Sequence, residues 1–382
     1  MRYKISFSFP YLQQKFILHA HSHFAFSGWI TQVLMALMVA YLCKNQKEAF
    51  KDFRLLLYAN LVTAYGMLFS FPVQGYGAVS ITFSTLNILT SYWFAVKYWR
   101  VLNRIPTEHS HRWFKASLVF NVISSLGAFS LAYMMATKNL HQHYYLAAVY
   151  FFLHFQYNGW FFFSCMGLLA DKFKSSGLNM IFMKKVFLLF AIACIPAYFL
   201  SALWLPIPTL VYLIVVLSAI AQVVGGFILF MQINKQKALL KINNATGNWL
   251  MWLSSVALAI KLLLQLGSTI PSLSDLAFGF RPIIIGYLHL VLLAVITLFI
   301  LGYIISQRYI QLNRLVLWGT YIFTAGIALN EIFLMIQGVS ALSYQSVPYI
   351  DRLLLFAGIV MFIGLLLLSI STKPIQDNKG KV

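Results

Sequence analysis

Residues 18–29 read LHAHSHFAFSGW, a stretch that places three histidines at the start of a long apolar segment. The end of this phrase returns 131 residues later, where HFQYNGW at 154–160 matches HFAFSGW at 23–29 in its His, Phe, Gly and Trp. A weaker copy, HLVLLA, begins at His289, 135 residues further on. A histidine that recurs at a near-constant interval inside apolar sequence predicts one unit repeated three times, with one shared site.

The composition around these copies is that of a membrane protein. Of the 382 residues, 61% are hydrophobic and only 9% are charged. About 20 apolar residues are needed to cross a hydrocarbon layer of about 30 Å. The sequence therefore predicts an all-α, polytopic transmembrane helical bundle of about eleven spans, with the sixth and seventh alternatively forming one broken element: 17–43, 55–72, 76–99, 116–136, 144–170, 186–204, 206–231, 248–268, 282–306, 315–337 and 353–371.

The histidine copies fall in the first, fifth and ninth of these spans. This interval predicts three pseudo-repeats of four helices, with the last repeat one helix short. No long polar linker interrupts the chain, so we expect a single transmembrane domain over 1–382, with a short N-terminal segment at 1–16 and a cytoplasmic tail at 372–382. The three histidines should lie at a similar depth, roughly 10–15 Å of helix below the outer surface.

The net charge of +20 is distributed unevenly between the two sides of the predicted bundle. Basic residues concentrate in the odd-numbered connections and the tail, which the positive-inside rule assigns to the cytoplasm. We therefore expect the N-terminus outside and the C-terminus inside, in a bacterial inner membrane. This distribution favours a lipid bilayer as partner and argues against nucleic acid. His109 and His111, in the third connection, are predicted to be loop residues.

An intramembrane histidine usually faces the bundle interior, where it has a partner. His23, His154 and His289 are therefore candidate metal ligands, because neutral imidazole offers one nitrogen lone pair while its N–H fixes the ring orientation. On a helix His19 and His23 lie about 40° apart, while His21 points nearly opposite. His19 is thus a candidate second ligand. The alternative that each histidine only makes an interhelical hydrogen bond remains open.

Four further residues bear on the site. Lys261 and Glu331 are formal charges well inside spans, where they could form a structural ion pair. Histidines on separate helices could also hold a haem, which needs only one or two axial imidazoles. In that case Lys261 could bind a haem propionate, and Glu331 could relay protons. Gly28 and Gly159 could allow a flat cofactor to approach the backbone, or could serve ordinary small-residue helix packing.

Histidines on every fourth helix near the outer face resemble subunit I of the haem-copper oxidase superfamily, which has twelve helices in pseudo-threefold arrangement. In that family, histidines of the second and tenth helices hold a low-spin haem, and the sixth helix contributes a copper ligand. If this chain lacks the first helix, the resemblance implies haem ligation by His23 and His289, with b-type haem as one candidate. It also implies that His154 lies on the copper side. NnrS-like haem membrane proteins look like comparable distant relatives.

Two departures from that pattern affect the expected function. The sixth span lacks the histidine pair that completes the family's copper site, and Tyr287 stands where the family carries the ligand of its high-spin haem. The resemblance therefore implies a haem-binding membrane protein without a complete haem-copper catalytic centre. Such a protein would act in electron transfer, haem handling or diatomic-gas response, with a redox partner or a small diatomic ligand. The alternatives are a transition-metal or proton-coupled transporter that uses the intramembrane histidines, with copper among the candidate ions, and a scaffold without a cofactor.

Overall fold

A computed structural model describes residues 2–7, 9–46, 48–139, 141–236 and 245–371 of the chain. Over these residues the protein is helical and contains no strand, which confirms the all-α prediction. The described residues form two compact units, one within Ser8–Gln232 and one that combines Arg2–Phe7 with the described part of Ile233–Val382. The predicted tail at 372–382 lies outside the described residues.

The helices of the described residues are long and are joined by short connections. In chain order they are α1 (Arg2–Ser6), α2 (Gln14–Cys43), α3 (Ala49–Gln74), α4 (Ala78–Leu102), α5 (His109–Ala136), α6 (142–175), α7 (Ile181–Cys194), α8 (Thr209–Lys235), α9 (Ala245–Gly267), α10 (Pro271–Gly279), α11 (Arg281–Ser306), α12 (Arg314–Leu342) and α13 (Ile350–Ser371). Gly75 ends α3 with a φ of 58°, a conformation that glycine adopts without steric cost.

Nine helices of the described residues are long and apolar enough to cross a membrane: α2, α3, α4, α5, α8, α9, α11, α12 and α13. The protein is thus an integral membrane protein. The predicted span 144–170 lies in α6, where His154, Gln156 and Asn158 add polar character. The predicted span 186–204 is interrupted, because α7 ends at Cys194 and Pro196 begins a short 3₁₀ helix. The sixth and seventh predicted spans are therefore separate helices rather than one broken element.

The predicted N-terminal segment contains α1, which packs on α13 within the second unit. The Ser6 hydroxyl donates to the backbone carbonyl of Asp351 at 2.8 Å. The guanidinium of Arg352 lies 5.9 Å from the centre of the Phe7 ring. These contacts fix the segment against the start of α13.

Helices α12 and α13 approach each other closely through glycines. A Cβ atom on Gly364 would lie 2.4 Å from the backbone nitrogen of Phe323, and one on Gly319 would lie 2.9 Å from the carbonyl oxygen of Gly364. Small residues at such positions let two backbones approach in a membrane, where packing rather than hydrophobic burial drives helix association.

We expect Gly364→Val to lower the stability of the protein by about 1–3 kcal/mol, the usual cost of overpacking, because its side chain would force α12 and α13 apart. Gly358→Val is a matched control on the same helix, since a Cβ atom at Gly358 meets nothing within 4 Å. Thermal unfolding of the detergent-purified variants measures the difference. Equal losses for the two variants would contradict the close-packing interpretation.

In the described residues, three stretches of π-helix interrupt the α-helical backbone. They span Phe24–Thr31 in α2, Phe155–Phe161 in α6 and Leu290–Thr297 in α11. The residues directly before them are His23, His154 and His289. π-Helix is rare and is frequently found at functional sites. The three sequence copies therefore share a local backbone conformation as well as a histidine.

Candidate functional site

Each π-helical stretch is held by a side chain from another helix. In a π turn some α-type backbone hydrogen bonds are not formed, and a polar side chain can donate a hydrogen bond to the carbonyl oxygen that has lost its partner. In each copy one carbonyl accepts such a bond: Ser27 from Asn60 Nδ2 at 3.1 Å, Asn158 from Cys194 Sγ at 3.8 Å, and Val295 from Ser254 Oγ at 2.6 Å. Ser27 and Asn158 occupy equivalent positions, four residues after their histidines. The conformation is thus supported by specific donors in both units.

His23 lies against the end of α3 and the connection that follows it. Its ring stacks on Phe71 with a centroid distance of 4.4 Å and an interplanar angle of 12°. Its Nε2 lies 3.3 Å from the hydroxyl oxygen of Tyr76. His19 lies one turn earlier and contacts the Tyr76 ring edge-on at 4.6 Å, and its Nε2 is buried without a hydrogen-bond partner among the described residues. The prediction that His19 and His23 share a helix face is confirmed by these common neighbours.

His154 is fully buried, and both of its ring nitrogens are hydrogen-bonded. Nε2 lies 2.8 Å from the carbonyl oxygen of Cys194, so it must carry the proton and donate. Nδ1 lies 3.1 Å from Asn158 Nδ2 and accepts from that amide. The Cys194 carbonyl belongs to the last turn of α7, where backbone acceptors have no partner within the helix. In this arrangement neither ring nitrogen of His154 offers a lone pair to a metal.

His289 has a different hydrogen-bond pattern. Its Nδ1 lies 2.8 Å from the carbonyl oxygen of Ile285, one turn earlier in α11, so Nδ1 carries the proton. The lone pair of the neutral ring is then on Nε2. Donation from one ring nitrogen to a backbone carbonyl is the usual orientation of a metal-ligating histidine. The geometry of His289 therefore fits a ligand better than that of His154.

The first two copies contact each other within the first unit. The indole nitrogen of Trp160 donates to the Thr31 hydroxyl at 3.1 Å, and the rings of Phe26 and Phe161 lie 5.4 Å apart. The hydrogen bonds described above for His23 and His154 nevertheless run to different segments, the one after α3 and the end of α7. The aromatic residues of these two segments therefore contact each other in the way that is usual for packed helices.

The glycines of the repeat are also used for packing. A Cβ atom on Gly159 would lie 2.5 Å from Cβ of Phe120 in α5, and one on Gly28 would lie 2.5 Å from the Phe24 ring. The structure therefore favours small-residue helix packing for Gly159, whereas the neighbour of Gly28 is the Phe24 ring of its own helix.

The donor set limits which cofactors the residues fit. The described part of the chain holds no group of three or more His, Cys, Asp or Glu side chains placed to bind a metal ion. A haem needs only one or two axial imidazoles. The Nδ1–H bond of His289 to a backbone carbonyl is the arrangement usual for an axial imidazole, and in the first unit His19 has a buried Nε2 without a hydrogen-bond partner among the described residues. His154 does not fit it, because its ring nitrogens are already bonded.

The two intramembrane charges lie on different helices of the second unit. Lys261 in α9 is buried. Glu331 in α12 is partly buried and accepts a hydrogen bond from Asn330 Nδ2 at 3.2 Å. Their roles in ion pairing, propionate binding or proton relay remain predictions.

The structure corrects the prediction for the third connection. His109 and His111 are not loop residues, because α5 begins at His109, and His111 is buried. The ring of His111 meets Tyr41 edge-on at 5.9 Å, and its Nε2 has no hydrogen-bond partner among the described residues. Tyr41 in turn donates to a carboxylate oxygen of Glu108 at 3.3 Å. The sequence pattern missed this cluster because its members come from separate parts of the first unit.

Two ion pairs lie in the same part of the first unit. Lys174 Nζ contacts the second carboxylate oxygen of Glu108 at 2.6 Å, and Lys44 Nζ contacts Asp171 at 2.5 Å. The Asp171 side chain is 5% exposed. A buried carboxylate is stable only with a partner. Lys44 therefore joins the end of α2 to the end of α6.

Neither a known protein family nor a curated protein matches the sequence.

Proposed function

We propose that the protein binds haem in the membrane, with axial imidazoles from His23 and His289, and acts in electron transfer, haem handling or response to a diatomic gas. The observation that carries this proposal is the histidine that directly precedes each of the three π-helical stretches. It is supported by the resemblance to oxidase subunit I. Bound haem would supply one-electron chemistry or a site for a diatomic ligand.

The protein's own residues would bind and orient the group. The Nδ1–H bond from His289 to Ile285 fixes the ring so that Nε2 is the ligand atom. Phe71 restrains the plane of the His23 ring by stacking on it. Tyr76 is placed to hydrogen-bond whichever tautomer His23 adopts, because its hydroxyl can donate or accept. Rings held in this way need little reorganisation on binding.

An optical spectrum of the full-length, detergent-purified protein tests the proposal. A reduced-minus-oxidised difference spectrum should show the α and β bands of a six-coordinate, bis-imidazole haem. Protein expressed with haem supplementation, or reconstituted with haem after purification, controls for incomplete loading. If both preparations lack a haem spectrum, the proposal is wrong.

We further propose eleven spans in three groups of four helices, the last group being one helix short, with the N-terminus outside and the C-terminus in the cytoplasm of a bacterial cell. The excess of basic residues in the odd-numbered connections supports this orientation. Reporter fusions in the 232–247 connection should report a cytoplasmic location, and fusions near Lys138 should report the opposite side. A periplasmic signal from the 232–247 fusion would reverse the orientation.

A second candidate function is transport or binding of a transition-metal ion. The specific observation is the His19–His23 pair at i and i+4 beside the Tyr76 hydroxyl, since imidazole suits zinc and copper as well as iron. Elemental analysis of the purified protein distinguishes the candidates. Stoichiometric zinc or copper without haem, lost in His19→Ala, would favour the metal-ion function.

A further inference from the structure

A groove with a volume of about 410 Å³ runs along the outer face of α5 in the first unit. Its floor follows one side of that helix from Arg112 through Val119 to Ile123. Trp99 of α4 lines it on one side, and Phe187 of α7 lines it on the other. The volume is in the range of sites that bind small molecules, roughly 300–1,000 Å³.

Positive charge is confined to one end of the groove. Arg112 and Lys115 lie in the first two turns of α5, and none of the described residues that line the groove is acidic. Lys115 Nζ lies 5.3 Å from the centre of the Trp99 ring, which holds the ammonium group beside an aromatic face. Tryptophan and basic residues at a helix end are typical of the membrane–water interface.

The rest of the groove is apolar. Below Lys115 its floor is formed by Ala116, Val119 and Ile123, and Val119 is 44% exposed. Ile123 lies seven positions after Ala116, which is about 10 Å of helix, or about a third of a hydrocarbon layer of roughly 30 Å. One basic end at the interface and one apolar channel that continues into the hydrocarbon layer match the two parts of a single phospholipid.

We infer that this groove is a specific site for an anionic phospholipid of the bilayer. The phosphate group lies between Arg112 and Lys115 at the Trp99 end, and one acyl chain follows Val119 and Ile123 toward the middle of the membrane. Charge complementarity selects anionic over zwitterionic headgroups. The apolar channel selects a membrane lipid over a free phosphate ion. The site uses none of the histidines of the proposed haem centre.

Native mass spectrometry of the full-length protein, titrated with phosphatidylglycerol or phosphatidylcholine of identical chains, tests this inference. Each basic side chain is expected to increase the affinity for an anionic headgroup about fivefold. With two such side chains, the wild type should bind the anionic lipid roughly 30-fold more tightly than the zwitterionic one. Arg112→Gln combined with Lys115→Gln should bring this ratio close to one. Val119→Trp should fill the channel and lower the affinity for both lipids while the ratio changes little.

Arg100→Gln combined with Arg104→Gln is the matched control. Both arginines are exposed and lie near Trp99 at the end of α4, but neither lines the groove. The two substitutions remove the same charge as those in the groove variant. This control should keep the wild-type ratio, and millimolar inorganic phosphate should not displace bound lipid. The inference is overturned if the control lowers the ratio as much as the groove variant. It is also overturned if the groove variant leaves the ratio unchanged, or if phosphate competes.

Discussion

His23→Ala and His289→Ala are each expected to abolish the bis-imidazole haem spectrum or convert it to a five-coordinate, high-spin form. His154→Ala should leave the low-spin α and β bands in place. The difference follows from the ring nitrogens: His289 donates its Nδ1 proton to the Ile285 carbonyl, which makes Nε2 the nitrogen that would bind iron, whereas the two nitrogens of His154 bond to the Cys194 carbonyl and the Asn158 amide. Removal of one of two axial ligands changes the spin state of the iron, while loss of a histidine outside the ligand set does not.

The matched variant is His19→Ala, which removes a histidine from the same helix face as His23. If His23 is the ligand, His19→Ala retains the low-spin bands, and free imidazole added to His23→Ala restores them. Loss of the bands in His154→Ala but not in His289→Ala would show that the ligand pair is assigned to the wrong helices. Loss of the low-spin bands in His19→Ala but not in His23→Ala would show that His19, one turn earlier, is the ligand.

His154→Leu should instead lower the stability of the folded protein, by about 2–4 kcal/mol, because it removes one hydrogen bond from each of two buried polar groups. These are the Cys194 carbonyl and the Asn158 amide, which now bond to the two ring nitrogens. We expect a lower temperature of thermal unfolding and a lower yield of monodisperse protein. The positions of any haem bands should stay the same.

A double-mutant cycle separates hydrogen bonding from simple packing. Asn158→Leu removes the donor to His154 Nδ1, so its effect and that of His154→Leu share one interaction. Effects of residues in one hydrogen-bond network are not additive. The double variant should therefore be more stable than the sum of the two single losses predicts, by about 0.5–3 kcal/mol. Fully additive losses would show that the His154–Asn158 bond contributes little.

The sequence predicted the helical membrane fold and the placement of the three histidines within helices, because both follow from local composition and from the repeat. It left open whether His154 would be a metal ligand or would only form interhelical hydrogen bonds. The hydrogen bond to His154 Nε2 forms at the last turn of α7, where the chain continues as a 3₁₀ helix, the Tyr198 N–H donates to Ile195, and the Cys194 carbonyl accepts from a residue forty positions earlier. Contacts between distant parts of the chain are not visible in the spacing of residues.

The buried cluster around His111 illustrates the same limit. Charged and polar residues between apolar spans predict loops, and this rule assigned His109 and His111 to a connection. Helix α5 instead begins earlier, at His109, with Glu108 before its first turn, and Tyr41 and Lys174 reach that carboxylate from other helices. Helix α5 thus extends beyond its apolar part, because residues of other helices form hydrogen bonds and ion pairs with the polar residues at its start.

The π-helical stretches also change which residues before and after them lie on the same face of a helix. A π turn contains one residue more than an α turn, and each residue of an α-helix advances about 100° around the axis. In α2 the segments Gln14–His23 and Gln32–Cys43 are therefore out of phase by roughly one residue, so a single helical wheel cannot describe both. A side chain that a continuous wheel would turn toward lipid is rotated by more than a quarter of a turn. Deletion of one residue within Phe24–Thr31 would restore a uniform wheel, but it would turn His19 and His23 away from Phe71 and Tyr76 while leaving the second half of the helix in place.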